Sequence, residues 1–535
     1  MPLTLDKRGL GDVGPGELAV VRAGRGRAKV EKALGPADRL PNVLEALLEH
    51  EGARTDFEPH DPPPASLDGR VDLREQVSFT IDPDTAQDFD DAIAVCREGD
   101  GYRVWVHIAD VSHFVPAGSP LDRGAAGRAF SLYVPGRVAP MLPPELSNDL
   151  CSLRPREDRP CVTVEVPFGA SLELGEPAFY RSVIRSRARL TYGQAERILR
   201  GEEGTEPEIT EALRLAETVA LDLRCRRFAR GALRVTTREV AFAFDEDGGV
   251  DRAWLASEPH AHMLVEELMI LANEAVGGLL AGRRREALFR VHERPDPQAV
   301  LHLLAKLAAL EVPTPPAPDR KRLTPGLAAK LAAETSERVS DYVERSGRGT
   351  DAFPALVLRA LKQARYDARN LGHSGLASPA YAHFTSPIRR HPDLVVHRAL
   401  LRELGQGDDP VPDELGELAE HCSAREREAA KVEYLADEIC LAWLLDDTLF
   451  TRGWDEPWDG EIIGAIGSGL FVRFGTVFEG FLPARRLAGE FFELNDTGTA
   501  LVGRRSGRSF RLGDAVEVRV ESIARNEGKV ELAPP

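Results

Sequence analysis

The chain predicts an α+β multidomain protein: a large mixed α/β body, a small five-stranded OB-type β-barrel after it, and a short unit before it. Three observations carry this. From about residue 71 to 447, strand-like runs such as RVWVHIADV and CVTVEVPF mix with long helical stretches, with no clear break. From about 456, five short runs (EIIGAIG, GLFVRFG, FEGFLP, AVEVRVESIA and KVELAP) fill about 75 residues, punctuated by Gly and Pro, the pattern of a small barrel. The Pro-rich stretch EPHDPPPASLDGR (58–70) reads as a linker, which sets residues 1–57 apart. The expected divisions are therefore 1–57, 58–70, 71–447 and 448–535.

Taken in order, ELAVVRAG and RAKVEKALG read as two short strands and PNVLEALLEHEG as a helix. In the body, helical periodicity is clear in HMLVEELMILANEAVGGLLAG, AVLHLLAKLAAL and CSAREREAAKVEYLADEICLAWLL, while PTPPAPDRKR (313–322) reads as an exposed loop. In the barrel, Phe471, Phe474, Phe478 and Phe481 recur. OB barrels stack bases on exposed aromatics, and alternating Phe also builds barrel cores.

The 535 residues are 43% hydrophobic, enough for sizeable cores. No apolar run is long enough to span a membrane, and the N-terminus lacks a secretory apolar segment, so no membrane role is expected. Six cysteines form no CxxC pair, which points to reduced thiols in a cytoplasmic protein and not to zinc ligands. Taken alone, the net charge of −18 argues against a nucleic-acid partner, but local distribution matters more than the sum. Arginines cluster at 181–189, 224–230 and 283–285, where they could line a channel or simply cover solvated helices.

The chemistry concentrates in FTIDPDTAQDFDDA. Asp82, Asp88, Asp90 and Asp91 fall within ten residues, Asp84 is nearby, and apolar strand-like runs flank the group. Carboxylates held this close repel one another, and a divalent cation relieves the repulsion. All-oxygen ligation favours Mg²⁺ or Mn²⁺ over zinc. Such a site suits phosphodiester hydrolysis. An EF-hand fails, because the fifth and sixth positions counted from Asp82 are Ala86 and Gln87. A solvated acidic loop is the remaining bland reading.

YAHFTSPIRRHPDLVVHRALL is the second informative segment. Pro392 stands where a helix can begin, with Thr385–Arg390 as the loop before it. Backbone amides, the helix dipole and the guanidinium groups of Arg389 and Arg390 would together favour a phosphate.

These two segments closely resemble the signatures of the RNB family of exoribonucleases (the ribonuclease II and ribonuclease R group). VWVHIADVSHFV, LDRGAAGRAFSLYVPGRVAPMLPPELSNDLCSL, LVEELMILANEA and LVLRALKQARYDARNLGHSGLASPAYAHFTSPIRR resemble further family blocks, so the likeness covers roughly 71–447. The final barrel resembles the S1-type OB domain that commonly follows. The resemblance implies a processive, Mg²⁺-dependent 3′→5′ exoribonuclease, with Mn²⁺ able to substitute, that releases 5′-mononucleotides from single-stranded RNA. It implies metal-site and catalytic roles for Asp82, Asp88, Asp90 and Asp91, and a scissile-phosphate contact for Arg389. Tyr133 matches an aromatic that stacks on the 3′-terminal nucleotide. Tyr192 and Glu267 match positions tied to ribose recognition, and Glu433 matches a glutamate near the terminal nucleotide. With Arg390, Phe471 and Phe474 these complete the expected RNA-contacting set. A monomer without an obligate protein partner is expected.

Two departures stand out. His391 follows the paired arginines where the family often has Tyr; a packing difference is expected, and a pH-sensitive phosphate contact is the other reading. The family commonly has two OB domains before its catalytic body, and some 70 residues cannot hold two. The N-terminal unit resembles the end of the second, with a winged-helix-like fold as the alternative. Rival functions are an inert RNA-binding body, which the full set of carboxylates opposes, and a DNA exonuclease, which Tyr192 and Glu267 oppose.

Overall fold

In a computed structural model the described residues are all but 1–12, 24–27, 54–55, 65, 236–237, 257–259 and 488. The body is built on one seven-stranded sheet. Its spatial order is Ala188–Thr191, Phe79–Asp82, Asp91–Glu98, Gly101–Ala109, Asp158–Phe168, Ala178–Arg185 and Val71–Asp72. The two end pairs are parallel and the rest antiparallel. The central strands are nearly continuous apolar runs because both faces are covered. Val104, Val106, Ile108, Val162, Val164 and Val166 are wholly buried against helices Pro207–Ala229 and His260–Gly282. The linker thus leads directly into an edge strand of this sheet, Val71–Asp72.

The long helix Leu415–Arg452 joins three cores. Leu415, Ala419 and Cys422 pack into the sheet core. Val432, Ala436, Ile439 and Cys440 meet Leu40, Val43, Leu44 and Leu47 of the N-terminal helix Leu40–His50. Leu445 and Leu449 enter the barrel's core. The N-terminal hairpin, Glu17–Ala23 paired with Ala28–Pro36, and its helix are therefore docked on the body, with the Leu132–Val134 hairpin strand in the same core.

The barrel closes with five strands, Trp458–Ile466, Gly469–Phe474, Phe478–Pro483, Ala515–Ala524 and Lys529–Ala533, as the sequence predicts. It also carries an unforeseen three-stranded sheet, Phe492–Leu494, Ala500–Gly503 and Ser509–Arg511. Its core is not self-contained. Leu303, Leu307, Val339, Phe353 and Val357 of the preceding helices pack with Trp458, Ile462, Phe474 and Leu512. Hydrophobic contact thus continues across residue 447. The 313–322 segment is largely an exposed connection ending in a short 3₁₀ turn, Arg320–Arg322.

Candidate active-site cleft

Asp82 ends one strand of the sheet and Asp91 begins its antiparallel neighbour. Those strands pair with each other only at Phe79 and Ile93, so the 83–90 loop opens between their acid-bearing ends, while Asp82 and Asp91 pair outward with Thr191 and Ile108. That loop is tied down through its backbone. Ser152 Oγ receives the Phe89 amide (3.0 Å) and donates to the Gln87 carbonyl (2.8 Å). The Leu153 amide donates to Phe89 O and the Ala109 amide to Asp90 O, both at 2.9 Å.

The 381–390 segment reaches the same place from the opposite end of the sequence. It is held by helix His260–Gly282, where Asn273 Oδ1 accepts from the Phe384 amide (2.8 Å) and Asn273 Nδ2 donates to Tyr381 Oη (3.1 Å). Gly277 is required for this approach, since a Cβ there would lie 2.9 Å from the Ala382 nitrogen. The helix His391–Glu403 then begins with Pro392 in its first turn, as expected. Its Asp393 accepts from the Ser386 amide (2.8 Å) and from Arg390 Nη2 (2.7 Å).

Together these elements form one wall of a cleft of about 930 Å³. Asp82, Asp88, Asp90, Asp91, Tyr133, Tyr192, Arg389, Arg390 and Glu433 all line it. Asp90 is 5% exposed; its Oδ1 accepts from the Ile388 amide (2.8 Å), and Arg389 Nε stands 3.5 Å from its Oδ2. Tyr133 Oη donates to Asp88 Oδ2, and the Tyr133 amide donates to Glu433 Oε1, both at 2.9 Å. Arg390 is mostly covered (17% of its side chain exposed) and committed to Asp393, whereas Arg389 keeps nearly half of its side chain in solvent (44%).

Burial dominates the electrostatics. It pushes Asp82 up to about 6 despite Arg189, and Asp91 up to about 7 with Asp82 adding repulsion. Asp90 is raised well above the usual carboxylate range by burial, with Arg389 opposing the shift. Asp82 Oδ2 and Asp90 Oδ2 are buried without a hydrogen-bond partner. Orphaned carboxylate oxygens of this kind need a proton or a cation. Among the described residues no three His, Cys, Asp or Glu side chains converge as a ready-formed metal cage. The fit to a hard cation therefore rests on the two orphaned oxygens, the all-oxygen donors and the upward shifts.

Several expectations are corrected. Glu267 does not line the cleft. It is 1% exposed and clasped by Arg227, whose Nε lies 3.1 and 3.2 Å from its two oxygens. Phe474 is 1% exposed and packs edge-on against Trp458 in the barrel core, so it offers no face to a base. Phe471 is exposed on the barrel but outside the cleft, which Phe478 lines instead. His391 Nε2 lies 3.3 Å from Asp122 Oδ1, a contact in line with the packing reading. The arginine runs are mostly paired with carboxylates, as in Arg185–Asp158 (2.7 Å), Arg226–Asp222 (2.6 Å) and Arg230–Glu274 (3.0 Å). None of these residues lines the cleft. Arg189 instead braces the acidic loop by donating to the Asp84 carbonyl (3.0 Å).

The sequence reading missed the cleft's other wall. Glu239, Asp437, Glu438 and Glu479 line it, with Arg238 and Arg473. Burial and the neighbouring Glu433, Glu239 and Glu438 push Asp437 up to about 6. Helical spacing was the available signal, since Asp437 follows Glu433 by one turn.

Residues 70–406 match the RNB domain family. Ribonuclease R of Escherichia coli (strain K12) is 36% identical over 488 residues, covering 87% of this chain and 57% of the relative. Ribonuclease R of Aquifex aeolicus (strain VF5) is 37% identical over 484 residues, covering 89% of this chain and 66% of the relative. The chain thus spans less than two thirds of the length of these relatives. A structure of Mycoplasma genitalium RNase R in complex with ribose methylated single-stranded RNA superposes with a TM-score of 0.90 at 25% identity, covering 100% of this chain and 85% of that one. With the family match running through both the aspartate loop and the TSPIRR segment that meet in the cleft, the chain belongs to the RNB family.

Proposed function

We propose that this chain is a processive 3′→5′ exoribonuclease that hydrolyses single-stranded RNA to 5′-mononucleotides, as a monomer in the cytoplasm. The observation that carries the reading is the convergence of Asp82, Asp88, Asp90 and Asp91 with Arg389 at one wall of a single cleft. The RNA-bound relative of the same fold supports it.

Asp82, Asp88, Asp90 and Asp91 would hold divalent cations, Mg²⁺ in the first instance and Mn²⁺ as a substitute. Bound there, such ions would activate water and neutralise phosphate charge. The protein's own part is positional. The Ile388 amide fixes one oxygen of Asp90 and leaves the other turned toward Arg389. The exposed guanidinium of Arg389 is placed to stabilise charge that develops on a scissile phosphate. Tyr133 orients Asp88 through its hydroxyl and offers its ring to the terminal base. Glu433 fixes the Tyr133 backbone, and Tyr192 is the cleft residue suited to a ribose hydroxyl. Glu267 acts on the fold and not on the substrate. Residues 71–447 supply the chemistry; 448–535, and Phe471 on its surface, capture the strand, with 1–57 as an accessory RNA-binding unit.

The test is digestion of 5′-labelled single-stranded RNA and matching DNA, with Mg²⁺, Mn²⁺ or EDTA. Stepwise shortening of RNA from its 3′ end, with mononucleotide release that EDTA abolishes, is expected. Internal cuts, equal DNA digestion or metal-independent turnover would overturn the reading.

A further inference from the structure

The catalytic cleft holds two exposed aromatic rings, and the proposed chemistry uses only one of them. Tyr133 is 37% exposed and Tyr434 is 57% exposed. Phe130, Tyr192 and Phe478 also line the cleft but are more covered. Phe478 packs edge-on against Trp458, and the Tyr192 ring lies 5.1 Å from that of His262. Among the described residues, no other ring and no guanidinium stacks on Tyr434.

The position of Tyr434 sets it apart from the catalytic end. Glu433 is turned to that end, where it accepts from the Tyr133 amide (2.9 Å) and has Arg389 as a charged neighbour. Tyr434 is the next residue around the helix Leu415–Arg452, and its charged neighbours include Arg473 and Glu479 of the barrel. Leu441, Ala442 and Leu445 carry the cleft along the same helix to Val477 and Val530 of the barrel. From Glu433 to Leu445 the helix rises about 18 Å, the length of about five stacked nucleotides.

Charge decides which part of a strand faces this wall. Glu239, Asp437, Glu438 and Glu479 line it, and the two arginines beside them are already engaged. Arg473 bonds to Asp351 (3.2 Å) and to Glu479, and Arg238 Nε stands 3.9 Å from the same Asp351. A phosphate is repelled here. A base is uncharged, and the exocyclic amino groups of adenine, guanine and cytosine suit carboxylate oxygens. Tyr434 supplies the π-face on which a base can rest.

We propose that Tyr434 is a second stacking platform, which holds a base upstream of the 3′-terminal nucleotide while the strand's phosphates keep to the Arg389 side of the cleft. The proposal rests on the reading of the cleft as a site for the 3′ end of RNA. Stacking on this ring is indifferent to base identity and to the ribose 2′-hydroxyl, so it can grip a strand of any sequence.

The experiment places 2-aminopurine, whose fluorescence falls on stacking, at each successive position from the 3′ end of a single-stranded RNA. Each RNA is bound in EDTA to the full-length wild type and to the Tyr434→Ala, Tyr434→Phe and Tyr434→Trp variants, with melting temperatures matched. Tyr434→Ala should lose quenching at one upstream position and keep the signal at the 3′-terminal position; Phe and Trp should preserve both. RNA long enough to reach the upstream position should bind the Ala variant about 5- to 100-fold more weakly. Shorter RNA should bind it as it binds the wild type, and single-stranded DNA of the longer length should lose the same factor as RNA. Quenching lost at no upstream position, or lost at the 3′-terminal position, would overturn the proposal. Unchanged affinity for long RNA, a loss confined to RNA, or failure of Phe and Trp to preserve the signal would overturn it as well. Digestion with Mg²⁺ is measured separately. A chain that shows the Tyr434 signal but does not shorten RNA refutes the functional reading alone, and one that shortens RNA from its 3′ end without that signal refutes this inference alone.

Discussion

Replacing Asp437 by Asn should make RNA bind more tightly while leaving the aspartate loop intact. Asp437 lines the same cleft as the aspartate loop, with Glu239, Glu433 and Glu438 as acidic neighbours, and burial with their repulsion lifts it to about 6. A shift from 3.8 to about 6 would correspond to about 3 kcal/mol of native-state cost in a dry site, and solvent screening of this partly exposed group reduces it to about 1–2 kcal/mol. Because the folded value lies above the unfolded one, this cost is absent below about pH 3, grows as pH rises, and is complete above about pH 7. Asp437→Asn removes it, so the variant's stability advantage should be negligible near pH 3 and reach about 1–2 kcal/mol at pH 8. A bound phosphate meets the same charge: one unit charge at roughly 7 Å through solvent-like dielectric is worth about 0.6 kcal/mol, and more in a drier cleft. RNA affinity at pH 8 should therefore rise about 3- to 10-fold. Wild-type affinity should climb toward the variant's as pH falls from 8 to 5.5. The assays are fluorescence anisotropy with labelled single-stranded RNA in EDTA across that range, and thermal melting at each pH. An Asp437→Asn protein with unchanged affinity at pH 8, or with a pH dependence parallel to the wild type, would refute the repulsive-wall argument.

Asp90→Asn keeps the acceptor for the Ile388 amide but removes the charge beside Arg389; turnover should fall by several powers of ten with RNA binding retained, checked by single-turnover digestion beside filter binding. Arg389→Lys cannot reproduce a guanidinium fork on phosphate; the loss should appear in the single-turnover rate and not in affinity for long RNA, and a normal rate would give Arg389 a structural role. Glu267→Gln breaks a buried ion pair with Arg227; it should destabilise the protein by about 3–5 kcal/mol in denaturant titration. The surviving folded fraction should keep its preference for RNA over DNA, and a relaxed preference would return Glu267 to ribose recognition. Deleting the barrel from 456 onward is a poor test of RNA capture, because the cut would expose Leu303, Leu307, Phe353 and Val357.

The sequence by itself located the residues of the candidate site. Carboxylates crowded into ten residues between apolar runs, and paired arginines before a Pro-started helix, are local patterns whose meaning survives any tertiary arrangement. The five barrel strands were legible for the same reason, since alternation and Gly/Pro punctuation are properties of a few adjacent residues. What a side chain faces was not legible. Glu267 and Glu433 both sit on apolar-periodic helices, yet one is sealed against Arg227 and the other lines the cleft. Phe471 and Phe474 lie three residues apart on one strand, with one exposed and the other in the core. The clustered arginines gave a charge pattern but not their partners, several of which, such as Asp158 for Arg185 and Glu274 for Arg230, come from other segments of the chain. The acidic far wall, the shared core across residue 447 and the docking of the N-terminal helix depend on the placement of the 38-residue helix Leu415–Arg452. Its periodicity shows that it is a helix; only long-range packing against three cores decides where each of its faces points.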